Sequence, residues 1–151
     1  MSTARAQADL VLTPEAALRL WTDVDRWPTF VEGFARVLER DADWPRGGAR
    51  LVWESSPAGR GRVTEKVLED EGPDRFSTRV FENRLNGTQT FRVVESEAGS
   101  RAELSLEYRL TKYGPLSAVA DAVFIRRAIR DSLRRTLYRF SVEAEEEAGL
   151  R

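Results

Sequence analysis

The last third of the chain constrains its fold more than any other part. From Leu116 to Glu147 the sequence reads LSAVADAVFIRRAIRDSLRRTLYRFSVEAEEE, free of Gly and Pro once Pro115 has passed. Such a run predicts a helix roughly 45 Å long, at about 1.5 Å per residue. On a helical wheel Ala118, Ala122, Ile125, Ile129, Leu133, Thr136, Leu137 and Phe140 share one arc. Arg127, Asp131, Arg134, Arg135 and Glu146 lie away from it, so the helix is amphipathic. Its first half departs from that scheme in two ways. The inner arc there is small (Ala118, Ala122), and the outer arc is apolar, with Leu116, Ala120, Val123 and Phe124. Protein interiors are close-packed, so small residues on the inner arc predict room for something else at this end.

At 151 residues the chain has the length of one domain, residues 1–151, with enough apolar residues (41%) for a real core. It contains no Cys and no His. That excludes disulfides, thiol catalysis, an imidazole general base and thiolate or imidazole metal sites, so no metal or redox cofactor is expected. The formal net charge is −1, which offers nucleic acid no global attraction. No apolar run approaches the length of a membrane span, and the opening MSTARAQADL has no apolar leader segment. A cytoplasmic location follows as the expectation.

Ahead of the helix, Ala4, Ala6, Ala8, Leu10 and Leu12 alternate with more polar residues and predict a strand. Thr13-Pro14 starts a helix, with Thr13 as N-cap, that stops near Asp25. Trp27 precedes Pro28, which favours an extended or turn conformation, and a second short helix is expected over 29–34. Strands follow at 36–40, 49–55, 62–69, 75–85, 88–95 and 102–110, the last with strict alternation from Ala102 to Leu110. Turns are expected at 57–61, 71–74 and 98–100. Asn86-Gly87 reads as a two-residue hairpin turn, which would pair Glu82 with Phe91 and Val80 with Val93. Tyr113-Gly114-Pro115 ends the sheet. One strand, two short helices, six strands in meander and one long helix make an α+β protein. Its antiparallel sheet of about seven strands curls around the C-terminal helix.

This layout resembles the START-like (SRPBCC) superfamily, in its polyketide cyclase/dehydrase and lipid-transport branch. The residues that carry the likeness are Leu12-Thr13-Pro14-Glu15 with Leu20-Trp21 and Val24, then Trp27-Pro28-Thr29-Phe30-Val31. Asn86-Gly87, Gly99-Ser100-Arg101 and Gly114-Pro115-Leu116 complete it. The resemblance spans essentially the whole chain and implies a helix-grip fold. It also implies a cavity between sheet and helix that takes a hydrophobic or aromatic small molecule.

Phe30, Val31 and Phe34 follow the Trp-Pro turn, where they serve either the core or an apolar lid. Trp21 and Trp27 are expected to hold the short helices down, while Trp53 sits mid-strand and Trp44 in a loop. The face carrying Val80, Glu82, Phe91 and Val93 is taken as the inward one, which makes Glu82 a candidate pocket carboxylate. Tyr108 lies on the apolar face of the last strand with Leu106, so its hydroxyl needs a partner. With Trp53, Ala118, Ala122, Ile125 and Ile129, these residues form the expected ligand-binding set. Tyr108 and Glu82 are the candidates for proton transfer in an enzyme. The stripe Arg126, Arg130 and Arg134 reads as a solvated face, with Asp131 placed to pair with Arg127 or Arg135.

Three functions fit these features. The first is a carrier or binding protein for a lipid- or polyketide-like molecule. The second is a polyketide-type aromatase/cyclase or dehydratase acting on a bound poly-β-ketone. The third is a protein-interaction module, for which Val123 and Phe124 offer a weak homodimer contact. A wholly apolar cavity favours the carrier, and convergent polar groups favour the enzyme.

Overall fold

The computed structural model describes residues 1–56, 59–69, 72–111 and 118–150, and the side chains of 118–121 are not described. The Tyr113-Gly114-Pro115 break, Leu116, and the side chains of Ala118 and Ala120 therefore lie outside the described residues, as do Pro57 and Glu71 of two expected turns.

Seven strands form one antiparallel sheet in the order β1-β7-β6-β5-β4-β3-β2. They are β1 (Ser2–Leu10), β2 (Phe34–Arg40), β3 (Arg50–Ser55), β4 (Arg62–Val67), β5 (Arg75–Phe81), β6 (Leu85–Ser96) and β7 (Gly99–Leu110). Helices α1 (Pro14–Thr22) and α2 (Trp27–Phe30), joined by a short 3-10 turn at Val24–Arg26, follow β1, and α3 (Ala118–Glu147) closes the chain. Strand and helix content, order and curvature are those of a helix-grip fold. Thr13 caps α1 by accepting the Ala16 N–H at 3.3 Å, as its side chain suits. Asp23 ends α1 and caps the 3-10 turn through the Asp25 N–H.

The core sits between the sheet and the C-terminal half of α3, where Leu133, Thr136, Leu137, Phe140 and Ala144 are buried. Trp21 stacks on Phe91 with ring centroids 4.5 Å apart, and Phe140 meets Phe30, Phe91 and Trp21 edge-on at 4.9, 5.3 and 5.4 Å. Offset stacks and edge contacts of this kind add to the area these rings bury. The Trp27 Nε1 donates to the Trp21 carbonyl at 2.8 Å, and the Trp44 Nε1 to the Thr22 carbonyl at 3.0 Å. Two indoles thus tie α1, α2 and the loop before β3 together. Towards its N-terminus α3 leaves the core, with Ala122, Ile125 and Ile129 only partly buried.

Four expectations are corrected. The hairpin turn between β5 and β6 is not at Asn86-Gly87. Phe81 pairs with Asn86 and Val80 with Gly87, and the Glu82 N–H donates to the Leu85 carbonyl across a turn centred on Asn83-Arg84. Phe91 accordingly pairs with Phe76 rather than Glu82. Gly87 is needed for a different reason: a Cβ there would run into the Glu107 carbonyl and Tyr108 Cα of β7. The second helix stops at Phe30, and Phe34 already begins β2. Trp27 is helical (φ −56°, ψ −34°) despite preceding Pro28, because Pro28 stands in the first turn of α2, where its missing N–H costs nothing. Asp131 lies 3.7 Å from Arg130, whereas Arg135 reaches across to Glu32 at 2.6 Å.

Candidate functional site

A half-open cleft of about 500 Å³ lies between the N-terminal half of α3 and the sheet. That is within the size range of small-molecule sites. Helix α3 supplies Phe124, Ile125, Ala128, Ile129, Ser132 and Leu133, since these positions recur along one side of a helix. The β5–β6 turn supplies Glu82, Asn83, Arg84 and Leu85, β6 and β7 supply Gln89 and Leu106, and the β3–β4 connection supplies Arg60 between Gly59 and Gly61. The helical wall is therefore mainly apolar, and the charged groups stand on the opposite wall.

The polar wall is organised by Arg60. Its guanidinium forms an ion pair with the Glu82 carboxylate, whose side chain is only 7% exposed, and lies 5.2 Å above the Trp53 ring. Cation–π attraction and the ion pair together fix the guanidinium in place. Inward from Arg60, Gln89, Ser132 and Leu133, which border both spaces, a small chamber of about 30 Å³ reaches Trp53, Glu65, Glu32 and Thr136. Glu65 is buried on β4. Its Oε2 accepts the Trp53 Nε1–H at 2.7 Å, and its Oε1 accepts the Thr78 hydroxyl at 2.9 Å. Burial pushes the Glu65 carboxyl above the usual carboxylate range, against the opposing pull of those two hydrogen bonds and the Arg60 charge.

Of the expected site residues, Glu82, Leu106, Ile125 and Ile129 line the cleft, and Val31 and Trp53 line the inner chamber. Phe30, Val80, Phe91, Val93 and Tyr108 are buried in the core without bordering either space, and Phe34 packs beside Trp53 at 5.2 Å. Ala122 is partly buried on α3 and is not among the lining residues, and the Ala118 side chain lies outside the described residues. Phe124, expected on the outer arc, lines the cleft while remaining 72% exposed.

The sequence reading missed Arg60, Gln89, Ala128, Ser132 and Glu65. For Glu65 the signal was present: Val63, Glu65 and Val67 share one face of a strand, and a carboxylate between two buried valines must point inward. Arg60 sits in a Gly-rich turn, and nothing local marks it. Among the described residues no cluster of three or more acidic or imidazole side chains could hold a metal ion. No helix described is long and apolar enough to cross a membrane.

Several solved structures share the fold. TTHA0849 from Thermus thermophilus superposes with a TM-score of 0.76 at 18% identity, over 97% of this chain and 99% of that one. SA2116 from Staphylococcus aureus, a protein of unknown function, gives 0.74 at 10% identity, over 99% and 96%. The di-domain ARO/CYC protein StfQ of the steffimycin biosynthetic pathway gives 0.72 at 16% identity, over 97% of this chain and 52% of that one. Comparison with curated proteins gives no match. Residues 1–145 match the sequence pattern of one family throughout, and the chain belongs to it: polyketide cyclase / dehydrase and lipid transport.

Proposed function

We propose that the protein binds a hydrophobic or aromatic small molecule, lipid- or polyketide-like, in the cleft between α3 and the sheet, as a carrier or binding protein. One observation carries this reading: a cleft of about 500 Å³ whose helical wall is formed by Ile125, Ala128, Ile129 and Leu133. Apolar area withdrawn from water against that wall contributes about 25 cal/mol per Å² to binding. Membership of a family named for polyketide cyclases and lipid transport supports it. Titration with Nile red tests it directly. Ala128→Phe projects a ring into the cleft from an exposed helix position, so stability should hold while affinity falls about tenfold or more. Unchanged affinity in a folded Ala128→Phe protein overturns the reading.

A second reading, an aromatase/cyclase or dehydratase acting on a bound poly-β-ketone, is favoured by the convergence of Arg60, Glu82 and Gln89 on one wall. A guanidinium there would hold an enolate, and Glu82 would move a proton. Turnover of a short poly-β-ketone thioester that falls about a hundredfold in Glu82→Gln, with binding kept, would select the enzyme. No turnover above the uncatalysed rate leaves the binding role.

A further inference from the structure

The inner end of the cleft carries more carboxyl groups than cations. Three carboxyl groups gather near it. Glu82 is paired with Arg60, and Glu65 already takes donors from Trp53 and Thr78. Glu32 pairs through Oε1 with Arg135 at 2.6 Å. Its Oε2 is buried and meets no donor among the described residues. Arg60 is the one cation among the described residues lining the chamber, and it is committed to Glu82 and to the Trp53 ring. Arg84 lines the cleft but not the inner chamber, and is exposed to solvent.

From this arrangement, three carboxyl groups against two guanidinia that are both already paired, we infer that the site selects ligands by the chemistry of their buried end. It takes an apolar molecule ending in a neutral donor, a hydroxyl or phenol, in preference to the same molecule ending in a carboxylate. The inference rests on the hydrophobic-binding reading. A carboxylate at this end needs a cation. The one guanidinium in the lining is already neutralised by Glu82, so a ligand carboxylate bonded to its remaining N–H groups would still bury an uncompensated charge. A hydroxyl instead brings the donor that Glu32 Oε2 lacks, and its oxygen accepts from the Gln89 amide or the Ser132 hydroxyl. An ether of the same shape supplies no donor and leaves that acceptor unpaired, a difference sites read strongly.

Isothermal titration at neutral pH with three probes of one ring system decides the matter. 2-Naphthol should bind about tenfold more tightly than 2-methoxynaphthalene, the loss typical of a hydrogen bond to a charged group, and more tightly still than 2-naphthoate. In Glu82→Gln the guanidinium is released, so 2-naphthoate should gain about tenfold while 2-naphthol moves less than about threefold. Glu32→Gln, which leaves Arg60 and Glu82 in place, should narrow the gap between naphthol and its ether. Equal binding of all three probes to the native protein overturns the selection rule and leaves the hydrophobic cleft standing. So does a Glu82→Gln protein that gains nothing for naphthoate. Failure of even the methoxy probe to bind overturns both.

Discussion

Trp53 on β3 and Glu65 on β4 are diagonal neighbours on adjacent strands beneath the cleft, the indole Nε1 donating to the carboxyl Oε2 at 2.7 Å. Both residues are buried, Trp53 at 1% and Glu65 at 4% exposure. The Thr78 hydroxyl donates to the other oxygen, so one carboxyl satisfies two interior donors at once. Glu65→Ala should therefore cost about 2–4 kcal/mol, since it strands an indole N–H and a hydroxyl in the core. Urea unfolding followed by tryptophan fluorescence measures the loss. A change below about 0.5 kcal/mol would mean that water replaces the carboxyl.

The same residue gives the protein a distinctive pH dependence. Burial raises the Glu65 carboxyl in the folded state, so folding favours its protonated form. Below the ordinary carboxylate range both states are protonated and the folded state carries no penalty. As pH rises from that range through the raised folded value, the unfolded chain loses its proton first and stability falls. Asp74 works in the opposite direction: Arg92 and then Arg75 lower its pKa, so its contribution fades as pH drops. The difference in unfolding free energy between native protein and Glu65→Gln isolates the first effect. It should shift against the native protein as pH increases from about 4 to 8. A difference that stays flat over this window refutes a raised Glu65.

Gly87 gives a prediction that separates the observed register from a hairpin turn at the same place. In a tight turn Ala would be strained by positive φ alone, at about 1 kcal/mol. Here a methyl group would meet the Glu107 carbonyl and sit 3.2 Å from both Tyr108 Cα and Leu106 Cδ1. Backbone at the centre of a sheet has little freedom to give way. Gly87→Ala should cost about 3 kcal/mol or more, as overpacking against an unyielding neighbour does. Thermal unfolding reports it, and a loss within about 1 kcal/mol would restore the turn.

How far the sequence revealed this arrangement depended on whether the governing contact was local. Strict alternation from Ala102 to Leu110 marked β7, and helical spacing of Leu133, Leu137 and Phe140 marked the buried half of α3, because each pattern repeats within its own element. Asn86-Gly87 misled for the converse reason. Its local turn preference was overridden by the need for Gly opposite β7, a contact between residues 20 positions apart. The polar wall was harder still. Arg60, Gln89 and Ser132 converge from a loop, a strand and a helix, and no spacing along the chain expresses that meeting. Glu65 could have been found from Val63 and Val67 alone.

Tyr108 is the strongest sequence candidate for chemistry, and its position in the fold points to packing instead. It is 2% exposed, pairs with Ser2 on β1 and Gly87 on β6, and does not border the cleft or the chamber. Tyr108→Phe keeps the ring and removes only the hydroxyl. Nile red and naphthol affinities should stay within about twofold of native, with any effect confined to a stability change of about 1 kcal/mol. A selective loss of naphthol binding would place the hydroxyl at the ligand.

Phe124 offers the last test, because two roles compete for it. With Val123 it forms an exposed apolar pair on α3, 72% and 46% exposed, which suits a contact between two copies of the chain. It also lines the cleft four residues before Ala128, one turn along the same helix, where a ring can cover an apolar ligand. A single Phe at the mouth of a hydrophobic cleft needs no partner chain to explain it. We expect Phe124→Glu to weaken Nile red binding about three- to tenfold, as a charge replaces apolar contact area at the mouth. Sedimentation of both proteins should be that of a monomer. If the native protein instead sediments as a dimer that Phe124→Glu dissociates, with Nile red affinity intact, the residue belongs to an interface.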